Sequence, residues 1–101
     1  MDAQLKQEID GLLQSNRVVL FMKGNKNVPQ CGFSATVVNT LKEAGLREFK
    51  DINILQRADL REGMKEFASW PTFPQLYVKG EFVGGCDIVK ELHASGEIYG
   101  V

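Results

Sequence analysis

The sequence predicts an α/β domain in which a four-stranded mixed sheet is flanked by helices. Helical and extended patterns follow one another in the order helix, strand, helix, strand, helix, strand, strand, helix. The strand–helix–strand half implies a parallel pair joined by a right-handed crossover, whereas two later strands separated only by Lys79-Gly80 imply an antiparallel pair. We expect one domain over residues 1–101, because this length supports a single core and the sequence contains no linker or repeat.

The first two helices and the first strand are indicated by their apolar patterns. Apolar residues at i, i+4, i+7 and i+8 from Leu5 predict an opening helix that ends near Ser15. The run VVLFM over residues 18–22 has no polar break, which is typical of a buried central strand. A polar loop then leads to Cys31, where a second helix begins that ends at Gly45.

The second half of the chain supplies the remaining elements. Residues 49–54 predict a short strand, and apolar spacing of i, i+4 and i+7 from Leu60 predicts a third helix. Two strands over residues 75–78 and 81–83 form a hairpin around a two-residue turn, and a closing helix ends at Gly96.

Composition limits the classes of function. The net charge is −1 and both signs are mixed along the chain, so no basic stripe indicates nucleic acid. No apolar run approaches the ~20 residues of a membrane-spanning helix, and the acidic, amphipathic start is unlike a signal or transit peptide. Two widely separated cysteines make a poor disulfide framework. We therefore expect a cytoplasmic protein that binds neither nucleic acid nor a membrane.

The tetrapeptide Cys31-Gly32-Phe33-Ser34 lies where the first strand leads into the second helix. Orphan N–H groups and the helix dipole favour the thiolate there, which is the form that attacks disulfides or binds metal. A dithiol oxidoreductase would carry a second cysteine three positions later, where this chain has Ser34. Free cysteines are often small buried hydrophobes, but loop and cap residues surround this one. Cys31 therefore needs a thiol from outside its own tetrapeptide.

The order of elements and three motifs together resemble a monothiol glutaredoxin of the CGFS type. The motifs are CGFS at residues 31–34, WPTFP at residues 70–74 and GGCD at residues 84–87. The resemblance covers essentially the whole chain and implies a single domain with the thioredoxin-like (glutaredoxin) fold. It also implies that Cys31 is the catalytic and metal-binding residue, reactive toward glutathione or bound to an iron–sulfur cluster.

A glutathione site is a second implication of the resemblance. Lys23 and Arg61 would hold the glycyl carboxylate, Arg61 in a bidentate manner. A cis Pro74 would leave the N–H and C=O of Phe73 free to pair with an extended peptide such as glutathione. The residues placed at the cofactor site are Lys23, Cys31, Phe33, Arg61, Thr72, Phe73, Pro74, Gly85, Cys86 and Asp87.

Three of these residues open the closing helix. Asp87 is expected as its N-cap, and the helix N-terminus behind Gly85 would suit the γ-glutamyl carboxylate while Asp87 meets the ammonium group. Cys86 is interpreted as a small buried residue beside the site, with a resolving thiol that forms a disulfide with Cys31 as the alternative. Trp70 is expected only to pack.

Two functions remain open. A 2Fe–2S cluster usually takes four thiolates, so two chains and two glutathione molecules would complete the set and form a cluster-bridged homodimer. The resemblance then implies a cluster carrier or scaffold in cluster assembly and redox homeostasis, with BolA-type proteins and apo iron–sulfur acceptor proteins as partners.

The alternative is a glutathione-dependent thiol–disulfide oxidoreductase. Cys31 would form a mixed disulfide with glutathione, and a second glutathione would resolve it because Ser34 cannot. Family members of the CGFS type are generally poor at this reaction, so any enzyme activity is expected to be weak. The third alternative is a redox-inert binding module with the same fold.

Overall fold

The computed structural model describes residues 1–100, so Val101, the last residue of the predicted domain, lies outside the described residues. The elements occur in the predicted order, and a short 3-10 helix comes after them that the sequence analysis did not predict. The elements are α1 (Ala3–Ser15), β1 (Val18–Met22), α2 (Gly32–Glu43), β2 (Lys50–Asn53), α3 (Ala58–Ala68), β3 (Gln75–Val78), β4 (Glu81–Gly84), α4 (Cys86–Ser95) and the 3-10 helix (Glu97–Gly100).

The four strands form one mixed sheet in the order β2-β1-β3-β4. β1 pairs in parallel with β2 and antiparallel with β3, and β3 pairs antiparallel with β4. The hairpin turns through Lys79 and Gly80, whose φ angles of +53° and +80° match the left-handed conformation that a two-residue hairpin loop favours. The predicted mixed α/β sheet is therefore confirmed.

Helices cover both faces of the sheet, which explains why β1 carries no polar residue. Val18, Leu20 and Met22 pack into the core under α2 and α4. Val19 and Phe21 point to the opposite face, into the core under α1 and α3. Full burial of an apolar side chain of this size contributes about 1.5–3 kcal/mol, so β1 anchors both cores.

An ion-pair network joins α1 to the beginning of α3. The Arg57 guanidinium donates to both carboxylate oxygens of Glu8 and to both of Asp59, with every distance 2.9 Å. The hydrogen bonds from Arg57 lower the pKa of Glu8. Because these groups are partly exposed, the network fixes the orientation of α3 more than it adds stability.

The second strand is one residue shorter at each end than predicted, although Phe49 and Ile54 remain buried in the two cores.

Among residues 1–100, no helix combines the length and the apolar character that crossing a membrane requires.

Gly84, at the end of β4, provides a test of the chain path into α4. Its φ is +151°, and a Cβ placed there would lie 2.7 Å from the Cβ of Ile88. We expect Gly84→Ala to lower the free energy of unfolding by about 2 kcal/mol or more, because backbone strain and overpacking each cost on the order of 1–3 kcal/mol. Urea unfolding measures this change.

Gly11→Ala is the matched control, because a Cβ at Gly11 would meet nothing within 4 Å and the residue lies inside α1. It should raise the free energy of unfolding by roughly 0.5–1 kcal/mol, since alanine is the better helix former. A Gly84→Ala protein as stable as the wild type would contradict the described path.

Candidate functional site

Cys31 is the N-cap residue of α2, as the sequence analysis predicted. Its backbone is extended, with φ −150° and ψ 155°, and its sulfur accepts a hydrogen bond from the Ser34 N–H at 3.3 Å. The side chain is partly exposed. The thiol group therefore sits at the positive end of the helix, where a negative charge is stabilised.

Ser34 contributes a second contact that the sequence analysis missed. Its side chain is fully buried, and its Oγ accepts a hydrogen bond from the Lys23 N–H at 3.1 Å. The same Oγ lies 3.3 Å from the sulfur of Cys31. The Cys31 thiol donates to this oxygen, and in the thiolate form the rotatable Ser34 hydroxyl can donate to the sulfur instead, which lowers the pKa of Cys31. The sequence does contain a signal for this contact, because Ser34 lies three residues after the N-cap residue, where capping hydrogen bonds form.

The two cysteines have opposite acid–base character. Burial of Cys31 works against its thiolate, but hydrogen bonds from Ser34 and the Phe33 N–H, together with the charge of Lys23, bring the pKa below that of an ordinary thiol. Burial raises the pKa of Cys86, and its few charged neighbours leave it raised. The pKa of Cys31 is therefore lowered and that of Cys86 raised, and both cysteines are free.

The polar loop before Cys31 has a defined shape. Gly24 has φ +87°, and a Cβ there would lie 2.6 Å from the backbone nitrogen of Gln30. The Gln30 N–H donates to the carbonyl of Lys23 at 2.9 Å, and the Lys26 N–H donates to the Asp51 carboxylate at 2.9 Å. These hydrogen bonds join the two ends of the loop to each other and join its middle to β2. They place Cys31 beside the end of β1.

A cavity of about 550 Å³ is lined by Lys23 and Cys86, both of which lie close enough to Cys31 for charge to act between them. It brings together every predicted cofactor-site residue except Cys31 itself, which is two residues from Phe33 in the chain. Lys65, Trp70, Pro71 and Ile88 were not predicted at the site. The residues that line the cavity are Lys23, Phe33, Arg61, Lys65, Trp70, Pro71, Thr72, Phe73, Pro74, Gly85, Cys86, Asp87 and Ile88.

The cavity is positively charged although the chain as a whole is slightly acidic. Lys23, Arg61 and Lys65 contribute three cations against the single carboxylate of Asp87. Within residues 1–100, the Nε of Arg61 is buried without a hydrogen-bond partner. A buried donor left unpaired is costly, so the cavity favours a ligand with carboxylate groups.

The segment before β3 offers an unpaired stretch of backbone to this cavity. The Phe73–Pro74 peptide bond is cis, which is the isomer that the resemblance implied. Among the hydrogen bonds of residues 1–100, none involves the N–H or the C=O of Phe73. An extended peptide in the cavity can therefore pair with this backbone as one more strand.

The predicted N-cap of α4 was wrong. The helix begins at Cys86 with Gly85 as its N-cap, and Asp87 lies within the first turn. The chain turns into the helix immediately after Gly84, and a Cβ at Gly85 would come within 3.2 Å of the Pro74 carbonyl oxygen. In the described part of the chain no side chain caps this helix, so its first N–H groups remain available to an anion.

Lys65 and Trp70 reach the cavity for different reasons. Lys65 follows Arg61 by four residues and so shares its face of α3, a spacing that the sequence displays. Trp70, expected only to pack, does contact the Phe82 ring at 5.7 Å, but it also lines the cavity. Its position depends on the left-handed backbone of Ser69, with φ +50°, which no local sequence signal indicates.

Comparisons with known proteins bear on the family and the fold. A family model described as Glutaredoxin matches residues 18–83. A probable monothiol glutaredoxin 2 of Rickettsia typhi is 59% identical over 90 residues, which cover 89% of this chain and 80% of the relative. The solution structure of reduced poplar apo GrxS14 superposes with a TM-score of 0.82 at 55% identity, covering 95% of this chain and 87% of that one. The crystal structure of a buckwheat glutaredoxin–glutathione complex superposes with a TM-score of 0.80 at 27% identity, covering 97% and 89%.

The contact between Ser34 and Cys31 predicts a change in thiol reactivity. Ser34→Ala removes one hydrogen bond to the sulfur, so the pKa of Cys31 should rise and alkylation by iodoacetamide at pH 7 should slow. At high pH, where the thiol is ionised in both proteins, the two rates should converge. The rate is measured against pH in a Cys86→Ser background, so that only Cys31 reacts.

Ser95→Ala is the control for this measurement. Its hydroxyl also bonds locally, to the Leu92 carbonyl at 3.2 Å, but lies at the far end of α4. It should leave the pH profile of Cys31 unchanged. An unchanged profile in folded Ser34→Ala would refute the role assigned to the hydroxyl.

Proposed function

Because the chain belongs to the glutaredoxin family, and to its monothiol members with their thioredoxin-like fold, we propose that it binds glutathione beside Cys31 and carries a 2Fe–2S cluster. One observation carries the proposal: a cysteine whose pKa is lowered lies near a cationic cavity that also exposes the unpaired backbone of Phe73. Glutathione, an anionic tripeptide with a thiol, has the matching chemistry. The buckwheat relative is itself described as a glutathione complex.

The polar groups of the cavity suggest how glutathione lies in it. Lys23 and Arg61 take the glycyl carboxylate. The backbone of Phe73 pairs with the cysteinyl residue of glutathione. The N–H groups at the beginning of α4 take the γ-glutamyl carboxylate, and Asp87 takes the ammonium group.

The donor chemistry of the site fits an iron–sulfur cluster only if ligands come from outside the chain. Within residues 1–100, no group of three or more His, Cys, Asp or Glu side chains could hold a metal ion. Cys31 offers one thiolate, and glutathione offers another. Two chains and two glutathione molecules therefore supply the four thiolates that such a cluster usually takes.

The surface around Cys31 is compatible with this assembly. Phe33, two residues further on, is 67% exposed, and Val28 in the preceding loop is 61% exposed. Apolar side chains that remain exposed in the monomer favour contact with another protein surface. We propose a second copy of the chain as the partner in the cluster-bound form, and BolA-type proteins and apo acceptors as later partners. We propose the cytoplasm as the compartment, because two widely separated cysteines suit a reducing environment.

Glutathione-dependent disulfide exchange is the second candidate, and the lowered pKa of Cys31 favours it. The thiolate attacks the glutathione sulfur of a glutathionylated protein, the protein thiolate leaves, and Cys31 is joined to glutathione. A second glutathione thiolate then attacks that sulfur, releasing oxidised glutathione and restoring the Cys31 thiolate. Ser34 provides no internal thiol for this second step, so its rate depends on the glutathione concentration.

Glutathione binding tests the part of the proposal that both candidates share. Arg61→Gln removes the charge and the fork of donors that meet the carboxylate, so we expect the Kd for glutathione to rise about tenfold or more. Isothermal titration calorimetry at fixed salt measures the change.

Arg57→Gln is the matched control, four residues earlier in the chain. It removes the same charge, but Arg57 is already engaged by Glu8 and Asp59 and does not line the cavity. Its Kd should stay within about twofold of the wild type. Equal weakening in both variants would mean that general charge, rather than a built site, accounts for binding.

Cluster loading separates the carrier from the reductase. The protein is incubated anaerobically with iron, sulfide and glutathione, and its visible absorption is read beside its size-exclusion mass. We expect a brown dimer, and a colourless monomer both for Cys31→Ser and for wild type loaded without glutathione. A wild-type protein that stays colourless and monomeric under full loading would exclude the carrier and leave disulfide exchange as the function.

A further inference from the structure

Gln75, the first residue of β3, is a fully buried polar residue, and two of its three hydrogen-bond partners line the cavity. Its amide nitrogen donates to the carbonyl oxygens of Trp70 and Thr72, each at 3.2 Å. Its amide oxygen accepts from the hydroxyl of Tyr77, also fully buried, at 2.9 Å. One side chain therefore joins the sheet to two points of the preceding loop.

The orientation of this amide is fixed by its partners. Carbonyl oxygens only accept hydrogen bonds, so the NH₂ group must face Trp70 and Thr72. The Tyr77 hydroxyl can donate, and it therefore faces the amide oxygen. Both loop contacts depend on the amide, because a carboxylate would place an acceptor against the Trp70 and Thr72 carbonyl oxygens.

The loop that Gln75 holds forms one side of the cavity. Trp70, Pro71 and Thr72 all line it, immediately before the Phe73 backbone that we assign to glutathione. The loop begins where the Trp70 N–H donates to the carbonyl of Lys65 at 3.0 Å. Between that bond and β3, the Gln75 amide accounts for every hydrogen bond of the loop backbone among residues 1–100.

A chain of aromatic rings supports the same loop from another direction. The Trp70 ring lies 5.7 Å from Phe82, and Phe82 lies 5.4 Å from Tyr77. These contacts are apolar and lack directional bonds, so they keep the indole on the protein without fixing the carbonyls. The directional constraint comes from Gln75.

We propose that Gln75 is a positioning residue of the glutathione site. Its amide holds residues 70–72 so that the cavity keeps the width that an extended tripeptide requires, and it thereby sets affinity as well as stability. This inference rests on the proposed binding of glutathione. It assigns the amide a role in recognition although the side chain does not line the cavity.

Two nearly isosteric substitutions separate positioning from general stability. Gln75→Glu replaces the NH₂ group, which donates to both loop carbonyls, with a carboxyl group that donates at most one hydrogen bond when it is protonated. Tyr77→Phe removes only the hydroxyl bonded to the amide oxygen and leaves both loop bonds in place. Each variant buries an unsatisfied group, so urea unfolding is measured for both. Gln75→Met, which removes the donors without adding charge, replaces Gln75→Glu if that variant does not fold.

Loop position and ligand affinity are measured on the same samples. Trp70 is the single tryptophan of the chain, so acrylamide quenching of its fluorescence reports on the loop alone. We expect the Gln75 variants to show stronger quenching and a Kd for glutathione raised about tenfold. Tyr77→Phe should keep wild-type quenching and a Kd within about twofold, even where its loss of stability is similar.

The outcomes distinguish this inference from the function on which it rests. Folded Gln75 variants with wild-type quenching and Kd overturn it, as does a Tyr77→Phe protein that loses affinity to the same extent. If the wild type itself does not bind glutathione, the proposed function fails. The quenching comparison then still decides whether the amide fixes the loop.

Discussion

The buried hydroxyl of Ser34 is the contact on which the site depends. It accepts the Lys23 N–H at the end of β1 and lies 3.3 Å from the sulfur of Cys31 at the beginning of α2. One hydroxyl therefore fixes the strand end, the helix start and the thiol relative to each other. It also occupies the position of a resolving cysteine in a dithiol protein. The same residue thus helps to ionise Cys31 and denies it an internal partner.

The lowered pKa of Cys31 and the absence of a second cysteine at position 34 determine which reactions the chain can take part in. Cys86 lies close enough for its environment to include the charge of Cys31, yet burial raises its pKa and keeps it a thiol. Each chain therefore has one cysteine with a lowered pKa near a cavity with an excess of positive charge. An anionic thiol ligand complements both features, and it enters whether the outcome is a shared cluster or a mixed disulfide. The two proposed functions differ only in the chemistry after glutathione has bound, so they use one set of binding residues.

Local sequence patterns were sufficient to predict the order of the elements. β1 is buried on both faces and therefore requires the apolar run at residues 18–22. Cys31 could be placed because the sequence also indicates where α2 begins. Local patterns were insufficient where separate segments meet. Aspartate is a common N-cap residue, so the sequence favoured Asp87 as the N-cap of α4. The chain turns at Gly84, however, so the helix begins earlier and Gly85 is its N-cap. In the sequence, Gln75 is an ordinary polar residue at the beginning of a strand. Its role is visible only in the folded structure, where its amide donates to the carbonyls of the loop at residues 70–72.

The ionisation order of the two cysteines tests the account most directly. Protein labelled with ¹³C at the cysteine Cβ atoms is titrated by NMR, and each thiol gives its own midpoint. The structure predicts that Cys31 ionises below the pH of an ordinary thiol and that Cys86 ionises above it. A Cys31 midpoint at or above that of Cys86 would contradict the thiolate from which both proposed functions proceed.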